Sequence, residues 1–263
     1  MKITVFTSNQ PRHCAFIHSL SKIGTVFAVQ ECTTLLPGLV PDYYKASPIM
    51  ADYFSRVIAA EKKVFGSIQF TPPSVQSLSL YVGDLSSVPI SALAPALQSD
   101  VYVVFGASFI KGALCDFLIS KSAVNVHMGV SPYYRGNSCN FWAIADGHPE
   151  YVGATIHLIT AGLDSGPILF HALPPAAPYD PFELGMRAVE AAQNAVCTKI
   201  EEGSLLTLDP VKQDRSLELR YTRNKDFYDD VAAEYLSRVP TRQYIESAVE
   251  RRDLSQFIRP WIA

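Results

Sequence analysis

The chain has 263 residues, of which 48% are hydrophobic and 18% charged, with a formal net charge of −3. That length suits one large domain or a domain with a modest extension, and its apolar share fills a core without disulfide or metal staples. The charge balance excludes disorder and the strong basic field of a sequence-independent nucleic-acid binder. No apolar run approaches the ~20 residues of a membrane span. Neither nucleic acid nor membrane is therefore expected as a partner.

Lys2 to Thr7 reads as a first strand. Pro11 suits the first turn of a helix over the periodic stretch Arg12 to Leu20, with Ser8 or Asn9 as its N-cap and Gly24 as its stop. Thr25 to Gln30 is a second strand, which makes a βαβ opening. The Pro- and Tyr-rich residues 34 to 48 give no clear pattern, whereas Ala51 to Phe65 has helical periodicity. Leu78 to Val82 suits a strand and Ile90 to Leu97 a short helix. Val101 to Phe105 is a continuous apolar run of the kind buried in parallel sheets. A helix over Leu114 to Ile119, a strand over Ala123 to Met128 and a helix over Cys139 to Ala145 follow. Strands are read at Ala154 to Ile159 and Ile168 to Leu173, then a long helix over Pro181 to Glu202, capped by Asp180 and stopped by Gly203. Beyond it, Leu205–Leu208 and Leu217–Tyr221 suggest a hairpin, and short helices are expected near 226–237 and 241–250. The expected architecture is an open, mostly parallel α/β sheet with helices on both faces over 1–205, and a C-terminal extension over 206–263.

The five cysteines, Cys14, Cys32, Cys115, Cys139 and Cys197, are scattered and contain no C-x-x-C pair. They read as reduced thiols of a cytoplasmic protein, without a zinc site or other metal. No basic-then-apolar N-terminal signal precedes the first strand.

Chemistry concentrates between 104 and 169. Asn125 and His127 alternate on one strand, so they share a face. They sit near its carboxyl end, where open α/β sheets build their sites. Asp164 lies in the turn G-L-D-S-G after another strand, within reach of the imidazole if the two strands are neighbours. An amide, an imidazole and a carboxylate suit acyl transfer. Donors stabilise the oxyanion, and a histidine oriented by a carboxylate moves the proton of an attacking amine.

The blocks N-V-H-M-G-V-S-P-Y-Y-R-G (125–136), F-W-A-I (141–144), G-A-T-I-H (153–157) and G-L-D-S-G-P-I (162–168) closely resemble the folate-dependent formyltransferase family. That resemblance implies a Rossmann-like sheet, N10-formyltetrahydrofolate as donor, and Asn125, His127 and Asp164 as catalytic residues. It also implies that the pterin lies against backbone groups of Gly106, Ala107, Ser108, Phe109 and Ile110, and it suggests a homodimer. The likeness is dense over roughly 100–175 and weaker before it.

Several residues carry two readings. His157 lines the site or serves as a structural hydrogen-bonder, and is left outside the catalytic set. Arg135 orients the closing loop or is solvated. Arg12 meets a phosphate at a helix N-terminus or is a solvated first-turn cation. Asn9 is a further acceptor candidate, as is Tyr221 of the Y-T-R-N-K cluster, for which a surface turn is the alternative.

For the acceptor, the stretch T-S-N-Q-P-R-H lacks the glycine-rich phosphate loop typical of glycinamide-ribonucleotide enzymes. Length and charge leave little room for transfer RNA. The reading is therefore a nucleotide-linked amino sugar for a surface polysaccharide such as O-antigen. A GDP-linked 4-amino-4,6-dideoxyhexose of the perosamine type comes first and a dTDP-linked sugar second. The alternative is a formyltetrahydrofolate hydrolase or another folate-dependent formyltransferase, with glycinamide ribonucleotide or methionyl-tRNA as acceptor.

Overall fold

In the computed structural model, the described residues are 1–34, 47–67 and 70–263. Most of the Pro- and Tyr-rich stretch at 34 to 48 lies outside them.

The strands are β1 (Lys2–Ser8), β2 (Thr25–Cys32), β3 (Gln76–Tyr81), β4 (Val101–Val104), β5 (Val124–His127), β6 (Tyr134–Gly136), β7 (Ala154–Leu158), β8 (Ile168–Leu173), β9 (Arg220–Thr222) and β10 (Trp261–Ile262). The helices are α1 (Pro11–Ser21), α2 (Pro48–Phe65), α3 (Gly112–Ser120), α4 (Cys139–Ala145), α5 (Pro181–Glu201), α6 (Asp229–Ser237) and α7 (Arg242–Glu250). Eight strands form one sheet in the order β10-β8-β7-β5-β4-β1-β2-β3, and β7 alone runs against its neighbours. The expected mostly parallel α/β architecture is thus the one found.

Alternation along the strands explains why helices cover both faces. Ile3, Val5 and Val103 pack toward Phe16, Leu20, Val189 and Val196 of α1 and α5. Phe6, Tyr102 and Val104 point the other way, toward Leu114 and Leu118 of α3. Strands sandwiched in this manner need apolar side chains on both sides, hence the unbroken V-Y-V-V run of β4. The chain moves outward from β1 to β2 and β3, then returns to place β4 and β5 on the other side of β1. That reversal creates a crevice beyond the carboxyl ends of β1 and β4.

Local signals held where the chemistry was specific. The Asp180 carboxylate accepts hydrogen bonds from the Phe182 and Glu183 amides at 3.0 and 2.9 Å, starting α5 as expected. At α1 the expectation is corrected. Gln10 occupies the N-cap position, and the Asn9 amide donates instead to the Thr34 carbonyl at 2.8 Å. The helix expected over Ile90–Leu97 shortens to a 3-10 turn at Ile90–Leu93.

The hairpin expected after residue 205 does not form. Leu205–Thr207 and Arg215–Leu217 are 3-10 turns. β9 pairs in parallel with β6 instead, Tyr134 opposite Arg220 and Gly136 opposite Thr222. Helices α6 and α7 form as expected, and Tyr235 and Ile245 enter a second core with Tyr53, Tyr134, Phe141 and Leu184. β10 closes the edge of the main sheet beside β8.

Gly136 makes the β6–β9 junction possible. It has φ +89°, and a Cβ there would fall 1.8 Å from the Thr222 carbonyl oxygen. Gly136→Ala is accordingly expected to destabilise the protein by at least about 2 kcal/mol, from left-handed strain plus the clash. A urea midpoint equal to that of the parent would contradict this account. Among the described residues, no helix is long and apolar enough to cross a membrane.

Candidate active site

β5 delivers Asn125 and His127 to one face, as their spacing required. The antiparallel neighbour β7 sets His157 directly opposite Asn125. The chain leaving β7 then turns back with Asp164 at φ +44°, a left-handed conformation that Asp tolerates better than most residues. Gln213, beyond α5, secures this turn by donating to the Asp164 and Gly166 carbonyls at 2.9 and 2.8 Å.

The three sequence candidates meet. The Asn125 amide nitrogen donates to Asp164 Oδ1 at 2.9 Å, and His127 Nδ1 lies 3.4 Å from Asp164 Oδ2. Two further residues join them. His157 Nε2 lies 3.1 Å from the Asn125 amide nitrogen and 3.7 Å from Asp164 Oδ1. Its Nδ1 is 2.9 Å from the Leu158 carbonyl, which can only accept. The ring therefore carries a proton on Nδ1 and receives the Asn125 amide at Nε2. The adjacent carboxylate fixes the Asn125 flip, because a carbonyl oxygen facing it would be repelled.

Cys139 lies at the start of α4, with its sulfur 3.5 Å from His127 Nε2 and 3.3 Å from the Gly136 carbonyl. Gly129 permits this approach, since a Cβ there would meet the Cys139 Cβ at 2.4 Å. Sequence reasoning left His157 aside and saw Cys139 only as the beginning of a helix. The one signal for His157 was its place in β7, on a strand expected to border Asp164.

Burial dominates the electrostatics. It lowers the pKa of His127; the Asp164 charge partly offsets this, while His157 and Arg135 add to it. Burial also acts on the Asp164 carboxyl, pushing it up. Its close contacts with His157 and His127, together with the Arg135 charge, outweigh that push and hold it below its ordinary value. The Cys139 thiol is driven far upward by burial, so it stays protonated. At neutral pH the cluster is a neutral imidazole beside an ionised carboxylate, an arrangement that accepts a proton and stabilises the resulting cation.

These groups open onto a cleft of about 660 Å³ at the topological reversal. Gly106, Ala107, Ser108, Phe109 and Ile110 all border it. Gly106 has φ +70° and packs so tightly on the His13 ring that a Cβ would come within 2.3 Å. The Ser108 amide is already engaged, donating to Glu31 at 2.6 Å. Phe109 is 42% exposed, which leaves an aromatic face at the rim.

The remaining candidates divide. Arg12 borders the cleft, but its backbone amide and guanidinium reach Glu61 at 3.1 and 2.7 Å, so the solvated reading is corrected. Arg135 is buried, not solvated, and its guanidinium donates to Glu218 at 2.8 Å. Tyr221 lies under that guanidinium, ring centroid to Cζ 5.8 Å, and borders a second cavity of about 540 Å³ rather than the main cleft. Asn9 does not border the cleft either. Asn224 of the same Y-T-R-N-K cluster does, so the chain beyond α5 supplies part of the wall. Among the described residues, no group of His, Cys, Asp and Glu is disposed to hold a metal ion.

Residues 89–200 match the family model described as formyl transferase. The methionyl-tRNA formyltransferase of Synechococcus sp. (strain JA-3-3Ab) is 33% identical over 134 residues, covering 48% of this chain and 39% of that protein. That of Trichlorobacter lovleyi is 36% identical over 116 residues, covering 41% and 36%. The chain thus spans well under half the length of these curated relatives. Among solved structures, a sugar N-formyltransferase from Shewanella sp FDAARGOS_354 aligns with a TM-score of 0.53 at 17% identity, covering 86% of this chain and 78% of that one. The formyltransferase PseJ from Anoxybacillus kamchatkensis was solved with UDP-4,6-dideoxy-4-formamido-L-AltNAc and tetrahydrofolate. It aligns with a TM-score of 0.52 at 14% identity, covering 95% and 100%. At such identities the likeness establishes the shared fold.

Proposed function

We propose, from the premise that residues 89–200 form a formyl transferase domain, that this chain transfers a formyl group from N10-formyltetrahydrofolate to the amine of a nucleotide-linked amino sugar. The observation that carries this reading is the meeting of Asn125, His127 and Asp164 at the carboxyl edge of the sheet, in a cleft that the 106–110 loop also borders.

Attack of an amine on a formyl carbon builds negative charge on the carbonyl oxygen and frees a proton. Neutral His127 takes that proton, and Asp164 stabilises the imidazolium and holds its orientation. The Asn125 amide exchanges one of its present partners for the developing oxyanion. His127 returns the proton to the departing nitrogen. The donor's pterin is assigned to the backbone groups of Gly106, Ala107, Phe109 and Ile110, with Ser108 fixing the loop.

Two observations bear on the acceptor. Glu61 is 1% exposed at the side chain and receives the first-turn amide and guanidinium of Arg12, so an anion of the chain itself occupies the N-terminus of α1. A phosphate monoester gains no binding site at that place, which weighs against a glycinamide-ribonucleotide acceptor. The net charge of −3 weighs against transfer RNA, although the curated relatives carry that activity in their names. A GDP-linked perosamine-type sugar for O-antigen synthesis remains the first choice, and a dTDP-linked sugar the second.

The test incubates the protein and N10-formyltetrahydrofolate with GDP- and dTDP-linked amino sugars, glycinamide ribonucleotide and charged methionyl-tRNA. Mass spectrometry is expected to find a gain of one formyl group on a sugar nucleotide. Formylation of the RNA instead would replace the sugar reading, and donor consumption with every acceptor untouched would favour a hydrolase.

A further inference from the structure

Glu31, the penultimate residue of β2, is a carboxylate only 2% exposed. A buried charge of this kind is costly unless its lone pairs are satisfied. Here they are satisfied by two segments outside regular structure. Oε1 accepts the Gly83 and Leu85 amides at 2.9 and 3.1 Å and the Ser108 hydroxyl at 2.9 Å. Oε2 accepts the Ser108 amide at 2.6 Å. The neighbouring Ser86 hydroxyl donates to the Phe109 carbonyl at 3.2 Å and receives the Lys111 amide at 3.0 Å. The carboxylate therefore orders the 83–86 turn, and turn and carboxylate together hold the loop that borders the cleft.

We infer that Glu31 is the positioning residue of the donor loop, fixing residues 106–111 through Ser108 so that the remaining backbone groups meet a folate already arranged. This rests on the reading of that loop as the donor site. A loop tied before the ligand arrives loses less freedom on binding. A group acting in this way changes affinity for the donor and leaves the chemical step alone, so its effect falls on KM and not on kcat.

Glu31→Gln separates the two ends of the device. The amide oxygen keeps the place of Oε1 and its three bonds, while the amide nitrogen meets the Ser108 N–H donor to donor. Three measurements on the full chain decide the matter. Hydrogen exchange is expected to accelerate at least tenfold over 106–111 and to stay unchanged in β4 and β5. The Kd of tetrahydrofolate, by calorimetry, is expected to weaken about tenfold. The KM for N10-formyltetrahydrofolate should rise similarly, with kcat at saturating donor within a factor of two of the parent. A loosened loop with unaltered tetrahydrofolate affinity would overturn the inference while leaving the donor reading intact, and so would a fall in kcat at constant donor KM. If the parent itself fails to bind tetrahydrofolate, the donor reading falls and this inference with it. Should Glu31→Gln not fold, Ser108→Ala removes only the hydroxyl bond. It is expected to weaken tetrahydrofolate about threefold, and no change there counts against the inference.

Discussion

Replacing His127 with asparagine is expected to lower kcat by about a thousandfold, the middle of the range that a positioned general base supplies. The substitution suits the site. Asparagine is smaller than histidine and polar, so it enters the buried position without a clash and leaves the Asn125–Asp164 hydrogen bond in place. Folding is checked by circular dichroism and the urea midpoint, and kcat is read at saturating donor and acceptor. The pH profile gives a second, independent reading. Burial lowers the His127 pKa, so the neutral form dominates at pH 7 and the parent keeps its activity as the medium is acidified through 6.5. The acid limb falls only below that, as the imidazole takes up a proton. In the variant that limb should disappear from the residual rate. Near-normal turnover, or a limb of unchanged position, would remove His127 from the proposed mechanism.

The parts of this arrangement that a sequence discloses are those fixed by local period and by chain order. The spacing of Asn125 and His127 placed them on one face of a strand, and the unbroken apolar run at 101–105 placed a central strand before them. Non-local pairing was the hidden part. β7 runs antiparallel to β5, and this register sets His157 opposite Asn125; neither residue's own neighbourhood encodes it. Cys139 reaches His127 only because Gly129 lacks a Cβ, a steric permission that reads from sequence as nothing more than a turn. The missed pairing of β9 has the same origin. Leu205–Leu208 and Leu217–Tyr221 look like hairpin arms, but β6 offers β9 a partner more than 80 residues earlier, and Gly136 allows the close approach. Glu31 was invisible for a related reason. A carboxylate at a strand end reads as solvent-facing until the turn at 83–86 and the loop at 106–110 close over it.

Asp164→Asn is the sharper test of the charge, because Asp164 has two duties that this variant separates. The residue occupies a left-handed turn at φ +44°, which asparagine adopts as readily as aspartate. The Gln213 bond goes to its backbone carbonyl, which the substitution leaves untouched. The turn should therefore survive, with a urea midpoint close to that of the parent. What is lost is the negative charge beside His127 and one of the two acceptor oxygens, so the side chain can no longer face both the Asn125 amide and the His127 ring with an acceptor. The expected kcat is about two to three orders of magnitude below the parent, since a neutral partner no longer stabilises the imidazolium formed during transfer. The direction of the pH shift follows from the same charge. The Asp164 carboxylate raises the His127 pKa against the pull of burial, so its removal lets that pKa fall further. The acid limb of the kcat profile should move to lower pH even as its plateau drops. A carboxylate that served only to shape the turn would leave both plateau and limb where the parent has them, and that outcome would reduce the site to an amide and an imidazole acting without electrostatic help.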